Sequence, residues 1–207
     1  MTTVSLPERR ALIDRALRLE WLTIGWMVIE AAAALLAGIR AGSLTLVAFG
    51  ADSLIELASA GVLMWRLRLE LRRGDAFPEA FEKRAARIAG GLLLALACYV
   101  VAGAGWSLAT RSGQEFSALG LAVALAAMPA MVLLSRAKTG IAERIGSRAL
   151  RADAVEAIAC AYLSGIVVAG LAAQWLIGAW WVDAVTALAL VPFLVREGFE
   201  AWQGDDD

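Results

Sequence analysis

Histidine is absent from all 207 residues. Metal chemistry here must therefore draw on carboxylate, thiolate, carbonyl or water, and imidazole ligand sets are excluded. Cysteine is almost as scarce. Cys98 and Cys160 are the two thiols, and both lie inside apolar stretches, which excludes an extracellular disulfide framework. Charge is thin as well, at 19% of residues against 60% hydrophobic, with a mean hydropathy of +0.69. A soluble domain has a very different mix, so most of the chain belongs in lipid. The basic loops carry no interleaved aromatic residues of the kind that stack on bases, so no nucleic-acid partner is expected.

What is present is a series of long uncharged runs. Crossing about 30 Å of hydrocarbon takes roughly 20 helical residues. The runs predict six spans, at about 18–39, 44–65, 88–110, 116–135, 147–174 and 180–196. The last two divide an overlong tract at Gly178, among Trp175, Trp180 and Trp181, which read as an interfacial belt. No secretory signal is read at the start, because Arg9, Arg10, Arg15 and Arg18 precede a span too long for an h-region. The expectation is one all-α transmembrane domain over 1–207 with no soluble domain, in which the acidic end, Asp205 to Asp207, is a solvated tail.

Basic residues set the orientation. Of the 19 Lys and Arg, 17 fall on one side of this topology, and Arg40 and Arg111 fall on the other. Both termini are thus expected in the cytoplasm, in a multi-pass protein of a bacterial cytoplasmic membrane.

Acids inside spans carry the chemical information, since a charge in mid-bilayer costs about 2.5–3.5 kcal/mol even on the lenient scale. Asp52 and Glu56 are four apart, so they share one face of span two. Glu156 and Cys160 repeat the device in span five. Two antiparallel helices that each offer such a pair can converge four ligands on one point. Depths computed at about 1.5 Å per residue match if helix five begins near Gly146, with Ser147 to Asp153 already helical and lining a vestibule. In that register Glu56 faces Glu156, and Asp52 faces Cys160. Glu30 and Asp183 are candidates for proton relay, for support around the ligands, or for structural hydrogen bonding. Asp153 is a candidate for attracting cations or for helix packing, and Cys98 reads as a small hydrophobe.

The stretch Gly42 to Ser59, GSLTLVAFGADSLIELAS, resembles the second transmembrane helix of the cation diffusion facilitator family of divalent metal transporters. Arg148 to Gly165, RALRADAVEAIACAYLSG, resembles its fifth, and WWVDAVTALAL at Trp180 to Leu190 is similar to its sixth. The resemblance implies a six-helix transmembrane fold in which Asp52, Glu56, Glu156 and Cys160 occupy the four central transport positions. The family commonly carries His and Asp in helix five, where this chain has Glu156 and Cys160. Its histidine-rich loop has no counterpart here, and its cytoplasmic C-terminal domain is not expected, so this reads as a short form. A homodimer held by membrane helices is implied.

Three carboxylates and a thiolate cannot all be ionised together in low dielectric without a cation, so metal and protons compete for the site. A carrier rather than an enzyme is expected: one that exports a divalent cation in exchange for protons, with no tightly bound cofactor. A thiolate among oxygens places zinc first, then cadmium, iron(II) or manganese. Two rivals remain: a proton-coupled exporter of small organic cations, and a membrane metal-binding protein that does not transport.

Overall fold

The computed structural model describes residues 6–73 and 79–203. The described residues form six helices and no strand: α1 Leu6–Ala41, α2 Leu44–Arg73, α3 Glu79–Thr110, α4 Ala118–Ile145, α5 Arg148–Ile177 and α6 Val182–Gln203. Asp205 to Asp207 lie outside the described residues.

Five helices outrun the predicted spans at the basic end, as α1 does before residue 18 and α2 does beyond residue 65. Charges end an apolar run without ending a helix, because Arg, Lys, Glu and Leu are all strong helix formers. Caps do end them. Gly146, at φ 69°, closes α4, and Gly178, at φ 62°, closes α5. Each sits in the left-handed region that other residues avoid. Between α4 and α5, Ser147 caps the new helix by accepting from the Leu150 N–H at 3.3 Å, so α5 starts within a residue of its expected position.

Stretches of α1 to α5 are long and apolar enough to cross a bilayer. This is an integral, multi-pass membrane protein. Helix α6 is not among those five. Asp183 at its start and Arg196, Glu197 and Glu200 near its end confine its uncharged run to Ala184 through Val195.

Side-chain size is distributed inside out. The interior is rich in alanine (Ala34, Ala37, Ala48, Ala97, Ala124, Ala127 and Ala187), whereas Leu22, Ile29, Ile39, Trp106, Leu133 and Leu176 point outward. Lipid is as apolar as leucine, so membrane helices gain from close backbone approach rather than from hiding large residues. Helices α1 and α2, α3 and α6, and α4 and α5 form the main packed pairs, with α1 also on α4. Between α3 and α6 the approach is so close that a Cβ on Gly90 would lie 2.6 Å from the Gly198 carbonyl oxygen. Helix α2 touches α1, α3, α5 and α6, so side chains along it reach the middle of the bundle. At the basic end, Leu12, Ile13 and Ala16 of α1 pack on Ala142, Ile145 and Leu150, which holds the approach helix against α4 and α5.

Candidate metal centre

Asp52 and Glu56 lie one turn apart on α2, as their spacing requires. Asp52 is 3% exposed. Its Oδ2 and the Oε2 of Glu56 are buried with no hydrogen-bond partner. An unpaired polar group in an apolar interior costs a few kcal/mol unless something satisfies it. These two oxygens are the orphans of the bundle's middle.

Cys160 of α5 is fully buried beside them. Its Sγ contacts Glu30 Oε1 at 3.5 Å, and its principal charged neighbours are Glu56 and Glu30, ahead of Asp52. The expected pairing of Asp52 with Cys160 is thus corrected: the thiol sits at the level of Glu56 and Glu30. Glu156, one turn before Cys160, stands nearer the basic end, where its main charged neighbours are Asp153, Glu197 and Lys138. It also lies within electrostatic range of both α2 acids, and for Glu56 it is a stronger charged neighbour than Glu30. An i, i+4 pattern fixes which face a residue occupies, and it leaves the height of one helix against another open by about a turn.

Glu30, on α1, is fully buried and fully engaged. Its Oε2 accepts from Trp26 Nε1 at 2.6 Å. Its Oε1 accepts from Ser53 Oγ at 2.8 Å and from the Cys160 thiol. Ser53 follows Asp52 directly, so α1 is tied to α2 beside the orphaned carboxylates. Among the described residues, no three acid or thiol side chains surround one point as a ready ligand set. The four residues singled out from spacing share one neighbourhood, with Glu156 at its edge.

The other candidates have structural partners. Asp183 accepts from Ser43 Oγ at 2.8 Å, Leu44 N at 2.7 Å and Thr45 N at 3.2 Å. It therefore caps α2 from across the bundle, and the Gln114 side-chain amide, turned so that its nitrogen donates, reaches its Oδ1 at 2.7 Å. Its hydrogen bonds are spent on the helix terminus. Asp153 is ion-paired to Lys138, which also pairs with Glu20 at 3.2 Å. Lys138 and Glu20 are fully buried and Asp153 nearly so. Asp153 is therefore engaged with an ammonium and does not line an open vestibule. Cys98 is exposed, away from the cluster.

Three participants escaped the sequence reading: Glu20, Lys138 and Glu197. Lys138 is one of the 17 cations that set the orientation, yet it lies two turns inside the end of α4 and is fully buried. The signal was an excess of acid at the same level, with Glu20 and Asp153 each near the basic end of a span. Glu197, half-buried on α6, neighbours Asp52 and Glu156 electrostatically. Burial among apolar helices, with Glu200 adding to it, holds its carboxyl above the usual carboxylate range.

Set against known families, residues 21–202 match the model of the cation efflux transmembrane domain. Comparison with curated proteins gives no match.

Proposed function

This chain belongs to the cation efflux family of membrane cation transporters, and from that premise we propose that it exports a divalent metal cation, zinc first, in exchange for protons. One observation carries the metal reading. Asp52 Oδ2 and Glu56 Oε2 are buried and unpartnered on one face of the central helix, next to a buried thiol. A divalent cation supplies what both oxygens lack. Thiolate and carboxylate must lose protons to ligate it, so loading releases protons and unloading takes them up. Zinc suits a mixed sulfur and oxygen set in few-coordinate geometry, cadmium shares the preference for sulfur, and iron(II) and manganese fit the carboxylates alone.

Alternating exposure of such a site by helix movement is the general solution for secondary transporters. Glu156 and Glu197, on the basic side of Asp52, mark the proposed cytoplasmic approach, where acids raise the local cation concentration. An organic-cation exporter is less well supported, because the cluster's single indole, Trp26, is turned to Glu30 as a hydrogen-bond donor and does not form an aromatic wall.

Proteoliposomes that hold a zinc indicator and a pH dye test the proposal. Expected is zinc movement coupled to opposite proton movement, both lost in Asp52→Ala. Zinc flux with no proton movement removes the exchange, and unchanged flux in Asp52→Ala removes the site.

A further inference from the structure

We infer that Glu30 of α1 is itself a ligand of the transported cation and forms one edge of its coordination polyhedron with Cys160. The inference rests on the transport reading above and extends it from two ligand-bearing helices to three.

Distance is the first ground. Zinc binds thiolate at about 2.3 Å and carboxylate oxygen at about 2.0–2.2 Å. At a tetrahedral angle those bond lengths place sulfur and oxygen about 3.5–3.7 Å apart. Cys160 Sγ and Glu30 Oε1 stand 3.5 Å apart. One edge of the polyhedron is thus already at length, and it is closed by a thiol hydrogen. A divalent ion takes that hydrogen's place between the two atoms, and the proton leaves to water along the access path.

The second ground is how Glu30 is held. Trp26 donates to one oxygen at 2.6 Å and Ser53 to the other at 2.8 Å. Ligating carboxylates are oriented by such outer hydrogen bonds, which leave lone pairs free toward the metal. Ser53 Oγ also contacts the Phe49 carbonyl oxygen at 3.1 Å, so it is anchored to its own helix and is not swinging.

The third ground is independent of Glu30. Asp52 is 97% buried and its Oδ2 has no partner. Glu56 is half-buried, and its Oε2 atom is likewise buried without a partner. Both acids count Glu30 among their close charged neighbours. A purely structural Glu30 would explain the bonds to Trp26 and Ser53. It would not explain why a third carboxylate is kept beside two unsatisfied ones, where like charges repel. A shared cation accounts for all three. The resulting set is Glu30, Asp52, Glu56 and Cys160, with Glu156 adjoining it on the basic side.

Cobalt(II) binding to the purified full-length chain in detergent tests this, read by absorption. A thiolate-to-cobalt band reports Cys160, and the intensity of the ligand-field bands reports coordination geometry. Expected for Glu30→Gln is a loss of cobalt affinity of tenfold or more, with altered ligand-field bands. The thiolate band should persist at saturating cobalt. Because a Gln amide nitrogen would face the Trp26 N–H, the double variant Trp26→Phe/Glu30→Gln is measured alongside and should show the same loss. Trp26→Phe alone should bind within a few-fold of the parent. If Glu30→Gln does not fold, Glu30→Asp decides: altered ligand-field bands support the ligand, and an unchanged spectrum overturns it. Parental affinity and spectrum in the Gln variants, with binding lost in Glu56→Gln, overturn the role of Glu30 and leave the transport reading intact. If the parent chain takes up no cobalt, both readings fall.

Discussion

Asp183 Oδ2 accepts the backbone N–H of Leu44 at 2.7 Å, so the helix that carries Asp52 and Glu56 is capped by an acid from α6. Truncation to Asp183→Ala orphans the Leu44 and Thr45 amides and the Ser43 hydroxyl together. Charged hydrogen bonds contribute about 1.5–3 kcal/mol each, not additively. We expect a loss of about 3 kcal/mol in stability, with Asp183→Asn intermediate. Thermal unfolding in detergent measures it. A variant that keeps its melting point yet loses cobalt binding would show that Asp183 is a ligand rather than a cap.

Lys138 pairs with two acids in a fully buried cluster, so removing it alone should be costly. Lys138→Met leaves Glu20 and Asp153 facing each other, and breaking such a cluster typically costs about 3–5 kcal/mol. The triple variant Glu20→Gln/Lys138→Met/Asp153→Asn should recover most of that loss. Denaturant unfolding of the two variants decides. If the triple is no more stable than the single, the damage lies in packing and not in unpaired charge.

Asp52 presents the opposite case. It stands among crowded acids with an unpartnered oxygen of its own, an arrangement that serves binding rather than stability. Asp52→Asn should raise the thermal midpoint of the metal-free protein by about 2–4 °C per kcal/mol gained. It should also abolish the stabilisation by added zinc, which for a working site reaches about 2.7 kcal/mol at 100 times Kd. Loss of melting temperature in metal-free buffer contradicts this.

Cys160→Asp tests the source of selectivity. Exchanging a soft sulfur for a hard oxygen should shift relative affinity from cadmium toward manganese and iron(II). Competition binding on the purified protein reads the ranking, and an unaltered ranking means that sulfur does not touch the ion.

Glu197 supplies a pH dependence. Its carboxyl is held above the usual range in the folded chain by burial and by Glu200. The folded state therefore keeps this proton to higher pH than the unfolded state does. The contribution to stability is full below the ordinary carboxylate pKa of about 4.3 and is lost as pH rises through the elevated value. Between about pH 4 and 7, melting temperatures should fall less steeply in Glu197→Gln than in the parent. Parallel curves for the two would remove Glu197 from the account.

How far these features could be read without coordinates depended on whether they were local. Six helices follow from the uncharged runs, and the Gly178 break follows from a glycine where an overlong tract had to end. Asp52 and Glu56 were recognisable because a helix puts i and i+4 on one face. Heights between helices were not recognisable. The contact of Cys160 with Glu30 spans 130 residues and depends on how α1 and α5 slide against each other. Lys138 was misplaced for a related reason: counting cations by loop assumes that each charge near a span end reaches water, and it overlooks a cation whose partners are also buried. The cap by Asp183 was hidden because helix-end signals in sequence are sought within a few residues of the terminus, and here the capping residue lies 139 positions away.

The buried Lys138 also constrains how the chain is made. During synthesis α1 with Glu20 emerges first, and α4 then reaches the bilayer carrying an ammonium whose closer partner, Asp153, lies 15 residues behind it. A lysine carried into the bilayer without its partners is penalised, by at most about 2.5–3.5 kcal/mol on the insertion scale, the figure for a helix centre. Helices α4 and α5 should therefore leave the translocation machinery as a hairpin, already neutralised in part, and dock onto α1 as a pair. The order of assembly is written in the charges that the finished bundle conceals.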